Sequence, residues 1–497
     1  MPLSLIILFA LGFVVLRILP FWHVRHSGCD AYYFLQCSQV YRQQKKALIT
    51  LPNIYLLELD EQWYPPGFSI FLGFFPARVV NHYYWLLSTL LDLPIALGIA
   101  SLLYTTSGPT AAMVGLLLYA TIGSTVMEYA NLTSRPLGVL LFFMVLIGLV
   151  LALQQGLWIG ILVASTGVML LIFTHKLTLQ LVFFLLPFMA LTQADLRYLL
   201  PLPLGYGLAL LLHKELVIKI IRAHHDIVTF WLRNINLLKA HAVQDSPIYG
   251  TPKDHQENFH HVFKRLMVRM FAYNPWILAL VLLAWIPQQT YTPLLLSLVT
   301  GIYLWAFLTI FIKSLRGFGE GTKYIKYALP LNLVLVAELL FSIPTWTWPT
   351  QLLIGSITLI HLVLYGQIIR QFMQSRTDAS GALTPAMQKV IEHLRSAPHA
   401  RTMCLPCHMS DLLAYHTEKP VLWGTHGYGF KKAEAFFPVL RHSVNQLMET
   451  YQLTHLLIDK SYTSTEELQI TGQVVVDMDN LQLLAFERPN SQEPKPV

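Results

Sequence analysis

The sequence predicts a polytopic α-helical membrane protein of about 11 transmembrane helices, followed by a small C-terminal α/β soluble domain. Three observations predict it. Of 497 residues, 55% are hydrophobic and only 12% are charged, about half the charge of a soluble domain, which points to lipid as solvent. The apolar residues are blocked into segments of ~17–25, enough to cross a hydrocarbon core of ~30 Å. After about residue 370 the blocks stop and charged residues return to normal density.

The spans fall near 3–21, 82–105, 109–126, 136–153, 157–173, 177–192, 199–212, 275–287, 291–312, 328–343 and 350–370. The first has neither a basic flank nor a small-x-small cleavage site, and reads as a retained helix. The apolar stretch 68–77 is short, contains Pro76 and meets Arg78, which suits a helix lying at the interface. The organisation expected is a transmembrane catalytic domain over 1–372, with a first loop at 22–81 and a large loop at 213–273. A soluble domain over 373–497 follows.

Counting connections assigns the loops to sides. Even-numbered connections such as 105–108, 154–156 and 193–197 are tiny. The odd-numbered ones, 23–81, 128–135, 174–176, 213–273 and 313–327, carry most of the polar chemistry, and the C-terminal domain lies on their side. A single working face is expected there. The net charge of +7 comes from basic residues in loops, so it speaks for topology and lipid headgroups, not nucleic acid. Charge counting over Arg25, Arg42, Lys45, Lys46, Lys313, Arg316, Lys323 and Lys326 would put that face in the cytoplasm. Residues that bind phosphates escape this rule.

In the first loop, Asp30 stands beside Tyr32 and Tyr33 at the start of a helical pattern running to about Lys46. Glu58, Asp60 and Glu61 precede the turn Trp63-Tyr64-Pro65-Pro66-Gly67. An acid at the membrane surface has restricted hydration, which raises its pKa and suits it to accept a proton from a hydroxyl or amine. Taken singly, Asp30 reads equally as a helix N-cap, and the acids at 58–61 as a solvated patch.

The whole pattern resembles the GT-C glycosyltransferases, among them the protein O-mannosyltransferases and the lipid A aminoarabinose transferase. It consists of an Asp soon after the first span, interfacial helices in loop one, and an aromatic-Pro-Pro-Gly turn. The resemblance implies a polyprenyl-phosphate sugar as donor and an extracytoplasmic acceptor that is lipid, glycan or protein. Membrane lipids are the other partner, and no cofactor is needed beyond the lipid-linked substrate. It further implies a bacterial inner membrane with the active site on the periplasmic side. By position Asp30 would be catalytic, assisted by Glu61, with Tyr33 at the substrate. Trp63-Tyr64 departs from the His or Lys that relatives carry before the prolines.

Other odd-side residues join the candidate set. Glu128 and Arg135 flank a short loop, and relatives carry an acidic or polar residue there that touches substrate. The structural alternative is a snorkelling Arg with Glu128 as its counter-ion. His175-Lys176 is a polar break that either holds a lipid phosphate or forms an ordinary turn. The stretch 313–327 combines Gly317, Gly319 and Gly321 with Arg316, Lys323 and Lys326, a pattern suited to an anion, with Glu320 as its lone acid. The large loop has amphipathic stretches at 216–222 and 259–270 that suit interfacial helices over the site. Its His224, His225, His255, His260 and His261 match no ligand spacing, so no metal is expected.

In the C-terminal domain, strands are expected at 401–405, 420–423, 454–458, 474–476 and 481–486, with helices at 410–417 and 437–451. The run 426–430 is an aromatic loop. Of the cysteines Cys29, Cys37, Cys404 and Cys407, the last two have thioredoxin-like spacing, but a disulfide or packed thiols suit them better than redox catalysis. The leading expectation is an inverting, metal-independent sugar transfer from a polyprenyl phosphate. The alternative is a transporter or flippase of a lipid-linked sugar, for which Asp92 inside a span is the main feature. A lipid-linked glycan polymerase relies on basic catalytic residues and fits Asp30 poorly.

Overall fold

The outer surface of the helices shows which solvent they meet. In Leu3–Ile18, Phe9, Phe13 and Arg17 are buried at every fourth position, while Leu3, Ile7, Leu8, Leu11 and Val15 are exposed. An exposed face of leucine and isoleucine is stable against lipid tails, not against water. The same holds for Leu352, Leu359 and Leu362 of Trp348–Gln374.

The computed structural model describes residues 1–22, 30–47, 54–57, 64–234, 267–285, 292–319, 321–342, 347–374, 383–424 and 430–486. Arg25, Cys29, Glu58, Asp60, Glu61, Trp63, His255, His260, His261, Glu320 and the aromatic loop before Phe430 lie outside these residues. Two compact units form. Met1–His26, Asn81–Ile221 and His260–Asp378 make the first, and Ser27–Val80, Arg222–Phe259 and Ala379–Val497 the second. Hydropathy groups the first loop with the spans; here it folds with the C-terminal segment.

In the first unit, five described helices are long and apolar enough to cross a membrane: Ala77–Ser107, Arg135–Leu153, Thr292–Phe311, Gly321–Ser342 and Trp348–Met373. Pro109–Ala120 and Gly123–Tyr129 qualify together as a sixth, bent by 57° between them. The expected spans 3–21, 157–173 and 177–192 correspond to the shorter apolar helices Leu3–Ile18, Ile159–Thr174 and Lys176–Thr192. The segment 275–285 is wound as a 3-10 helix. Each expected span has a helix in its place; among the described residues five, or six with the bent pair, meet the length and apolarity of a full crossing. Gly321–Ser342 is central, with 83% of its apolar window buried, against 11% for the peripheral Trp348–Met373.

The seventh span, expected to end near 212, does so: at His213 (φ −157°, ψ 76°) the backbone leaves the helical region, and Pro201–Asn234 is two helices meeting at a kink there. The amphipathic sequence after His213 forms the second of the two helices, where the hydropathy falls. The apolar stretch at 68–77 forms the seven-residue helix Gly67–Gly73, too short to span. Arg42 closes it, with Nε and Nη2 donating to the carbonyls of Phe75 and Leu72 at 3.1 Å each.

The second unit contains a four-stranded sheet: β1 Thr402–Leu405, β2 His455–Asp459, β3 Gln473–Met478 and β4 Leu481–Ala485. Its order is β1-β2-β4-β3, with β1 and β2 parallel and the other pairs antiparallel. The expected strand at 420–423 is instead an isolated bridge, Val421 to Thr402 and to Tyr55. First-loop residues 54–57 thus pair with the C-terminal domain. The helix expected at 437–451 is shortened to Val444–Tyr451, because Pro438 and the Ser443–Gln446 capping box move its start.

Candidate functional site

In the first unit, charged side chains converge at the odd-side ends of three elements. Glu128 lies in the last turn of Gly123–Tyr129, and Arg135 opens Arg135–Leu153 with Pro136 behind it, a residue whose fixed φ favours a helix start. The connection between them is held by Ser88 Oγ donating to Asn131 O (2.6 Å) and by Arg135 N–H donating to Thr133 Oγ1 (3.0 Å). Glu128 Oε1 pairs with Arg135 Nη1 and its Oε2 with Lys326 Nζ, at the head of the central helix. The three side chains are 11%, 15% and 6% exposed, so this is a buried triad of two cations and one carboxylate. Arg135 Nε is buried without a partner.

The polar network continues below. Lys326 Nζ lies 5.5 Å from the centre of the Tyr273 ring, and Ser124 Oγ donates to Tyr273 O (2.9 Å). Asn274 Nδ2 donates to Tyr303 Oη (2.9 Å), and Asn332 Nδ2 donates to Asn274 Oδ1 (3.1 Å). The Glu128–Arg135 contact is the ion pair of the structural alternative; Lys326 makes it more than a counter-ion pair. Sequence reasoning had Lys326 among the late-loop cations. It missed Tyr273 and Asn332, although a lone Asn inside an apolar span is a visible signal.

His175 is buried and caps Lys176–Thr192. Its Nδ1 accepts from Thr178 N–H (3.3 Å) and lies 2.7 Å from Thr178 Oγ1, which is 2.6 Å from Tyr327 Oη. Lys176 and Lys323 are half-buried. Arg316 donates from Nε to Ile310 O (3.0 Å), and burial lowers its guanidinium below the ordinary value. Two of the glycines in this stretch serve the fold. Gly319 adopts φ 113°, and a Cβ on Gly321 would fall 2.2 Å from Ala306 O.

In the second unit, Asp30 is the first residue of Asp30–Gln44 and is half-buried. A carboxylate in the first turn is favoured by the helix dipole, so the position serves the helix as well as any chemistry. Tyr33 is buried in an aromatic cluster with Phe34, Tyr55 and Tyr64 at ring distances of 5.3, 6.2 and 5.9 Å. Tyr55 Oη donates to Asp411 Oδ1 (2.7 Å). Cys37, Cys404 and Cys407 are buried, and burial pushes the Cys404 and Cys407 thiols up to about 12, which disfavours thiolate chemistry.

No family model matches the sequence, and no curated protein matches it. Solved structures do. ArnT from Cupriavidus metallidurans bound to undecaprenyl phosphate superposes with a TM-score of 0.55 over 98% of each chain, at 12% identity. Its apo form gives 0.56 over 96% of this chain and 98% of that one, also at 12%. The oligosaccharyltransferase AglB from Archaeoglobus fulgidus, in complex with an inhibitory peptide and a dolichol-phosphate, gives 0.55. That match covers 92% of this chain and 69% of AglB, at 11% identity. The chain has a GT-C-like fold. At 98% coverage the GT-C likeness takes in the C-terminal sheet as well as the helices. It is an integral membrane protein of that architecture.

Proposed function

We propose that the protein is a membrane glycosyltransferase that moves a sugar from a polyprenyl-phosphate donor to an extracytoplasmic acceptor, with inversion and without a metal. The observation that carries the reading is the fold likeness over nearly the whole chain to proteins whose structures hold polyprenyl phosphates. The acceptor oxygen or nitrogen attacks the anomeric carbon while Asp30 takes its proton. The bond from that carbon to the phosphate oxygen breaks, and its electron pair stays on the phosphate. Single displacement inverts the centre and leaves a polyprenyl monophosphate.

Charge that grows on the leaving phosphate needs preorganised cations. Arg135 and Lys326 are the best supported, being buried and convergent, whereas His175 caps a helix and Arg316 Nε is engaged by a backbone carbonyl. Lys176 and Lys323 extend the basic rim. Glu61 and Glu320 orient substrate, and the working face lies on the periplasmic side of a bacterial inner membrane.

The test compares envelope glycolipids and glycoproteins by mass spectrometry in cells carrying wild type or Asp30→Asn at matched membrane levels. Loss of one glycan species in the variant is expected, and the missing product identifies sugar and acceptor. An unchanged glycan profile would remove Asp30 as the base and favour the flippase alternative.

A further inference from the structure

The triad at the head of the central helix has an unequal charge balance. Arg135 and Lys326 contribute two positive charges and Glu128 one negative, all on side chains no more than 15% exposed. A net +1 in a desolvated place favours an anion. The charge of that anion matters, because attraction to the site grows linearly with charge while the solvation lost on burial grows with its square. A phosphodiester carries one negative charge, and a phosphomonoester about 1.5 to 2 at neutral pH.

We propose that Glu128 sets the Arg135–Lys326 anion site at net +1, so that it holds a phosphodiester-linked polyprenyl donor and releases the phosphomonoester product. This rests on the transferase reading above and adds a role for an acid that contacts neither sugar nor acceptor. Glu128 is a positioning residue in this scheme. It pairs with both cations from the last turn of Gly123–Tyr129, next to the connection that the Ser88 and Thr133 hydrogen bonds hold, and it lowers their combined charge. The buried, unpartnered Arg135 Nε is a donor left over after Glu128 is satisfied. Lys326 Nζ also lies 5.5 Å from the centre of the Tyr273 ring, a second contact that helps to hold this cation in place.

The charge count gives a variant series. Glu128→Gln raises the site to +2, Lys326→Met lowers it to 0, and Glu128→Gln with Lys326→Met restores +1. Binding is measured on purified full-length protein in lipid nanodiscs, with undecaprenyl monophosphate and its methyl diester as probes and no transfer reaction. The wild type is expected to bind the diester at least as well as the monoester. Glu128→Gln should shift the preference toward the monoester by about tenfold, and the double variant should return it to the wild-type ratio. Lys326→Met should weaken both probes. A merely structural Glu128 would lower both affinities together and leave their ratio unchanged; that result overturns the proposal while leaving the transferase reading intact. Binding of neither probe by the wild type overturns both. Should Glu128→Gln not survive purification, the wild type alone decides. Its affinity for the monoester must rise as pH falls from 7.5 to 5.5 through the second phosphate ionisation near ~6, with the diester flat. A monoester affinity that stays level over that range overturns the proposal.

Discussion

His455 in β2 has an imidazole only 7% exposed, with Thr454 Oγ1 2.8 Å from its Nδ1 and the His393 ring 5.5 Å away. Burial, reinforced by repulsion from His393, pushes it down from 6.5 to about 4. Between those values the unfolded chain binds a proton that the folded sheet refuses. Stability is therefore full above about pH 6.5 and declines as pH falls toward about 4. With allowance for solvent screening, the loss is on the order of 2 kcal/mol. Hydrogen exchange at β2 amides, corrected for intrinsic rates, should show protection falling from pH 7.5 to 5; in His455→Gln the fall should be absent. An equal fall in the variant would trace the effect to another group. At this scale the sequence was most informative about charge. Glu128, Arg135 and Lys326 stand out as ionisable residues beside apolar runs, and they meet. Tyr33 did not declare its surroundings, since only the folded loop encloses it among Phe34, Tyr55 and Tyr64.

Helices were legible from hydropathy because lipid imposes length and apolarity on each separately. Their mutual packing was not, since it depends on small residues whose spacing is quiet in a hydropathy profile. Arg135–Leu153 and Ile159–Thr174 form a hairpin in which Gly148 and Ala152 face Gly160 and Ala164. A Cβ on Gly160 would lie 2.3 Å from Gly148 O and 2.5 Å from Ala152 N, so the obstacle is backbone and cannot rotate away. Between helices in lipid there is little hydrophobic drive, and close backbone approach supplies the attraction. Gly160→Leu is expected to force the pair apart and lower stability by about 1–3 kcal/mol. Gly207→Leu is the control, because its Cβ meets nothing within 4 Å. Thermal unfolding in detergent followed by size-exclusion chromatography distinguishes them; equal midpoints would mean the hairpin tolerates separation. The bend before Gly123 escaped sequence reading for a related reason: it occurs where the apolar pattern persists while the direction changes. The break at His213 was legible, because there the solvent changes and the hydropathy falls.

Loop parity foretold that residues from distant connections would share one face, and Glu128, Arg135, Tyr273 and Lys326 do so in the first unit. What parity could not give is the partner of a charge inside a span. Arg17 and Asp92 are each fully buried, 75 positions apart, and joined Nη2 to Oδ2 at 2.9 Å. Tyr119 Oη donates to Asp92 Oδ1 (2.6 Å), Arg17 Nη1 donates to Thr125 Oγ1, and the guanidinium lies 5.0 Å from the rings of Phe13 and Tyr119. Tyr129, the neighbour of Glu128, is 5.7 Å away on the same cation. The pair thus ties Leu3–Ile18 and Ala77–Ser107 to the bent helix that carries Glu128. Removing one member of a buried pair strands the other charge, so Arg17→Met or Asp92→Leu should each destabilise by about 3–5 kcal/mol. The double variant should recover most of that and retain the proposed transferase activity. Thermal midpoints of the three variants, with transfer assayed on those that fold, separate two roles for the pair. If the double variant is stable and active, the pair is a structural tie, and the transport alternative loses the in-span acid that recommended it. A stable but inactive double variant would instead make this pair part of the working machinery beneath Glu128.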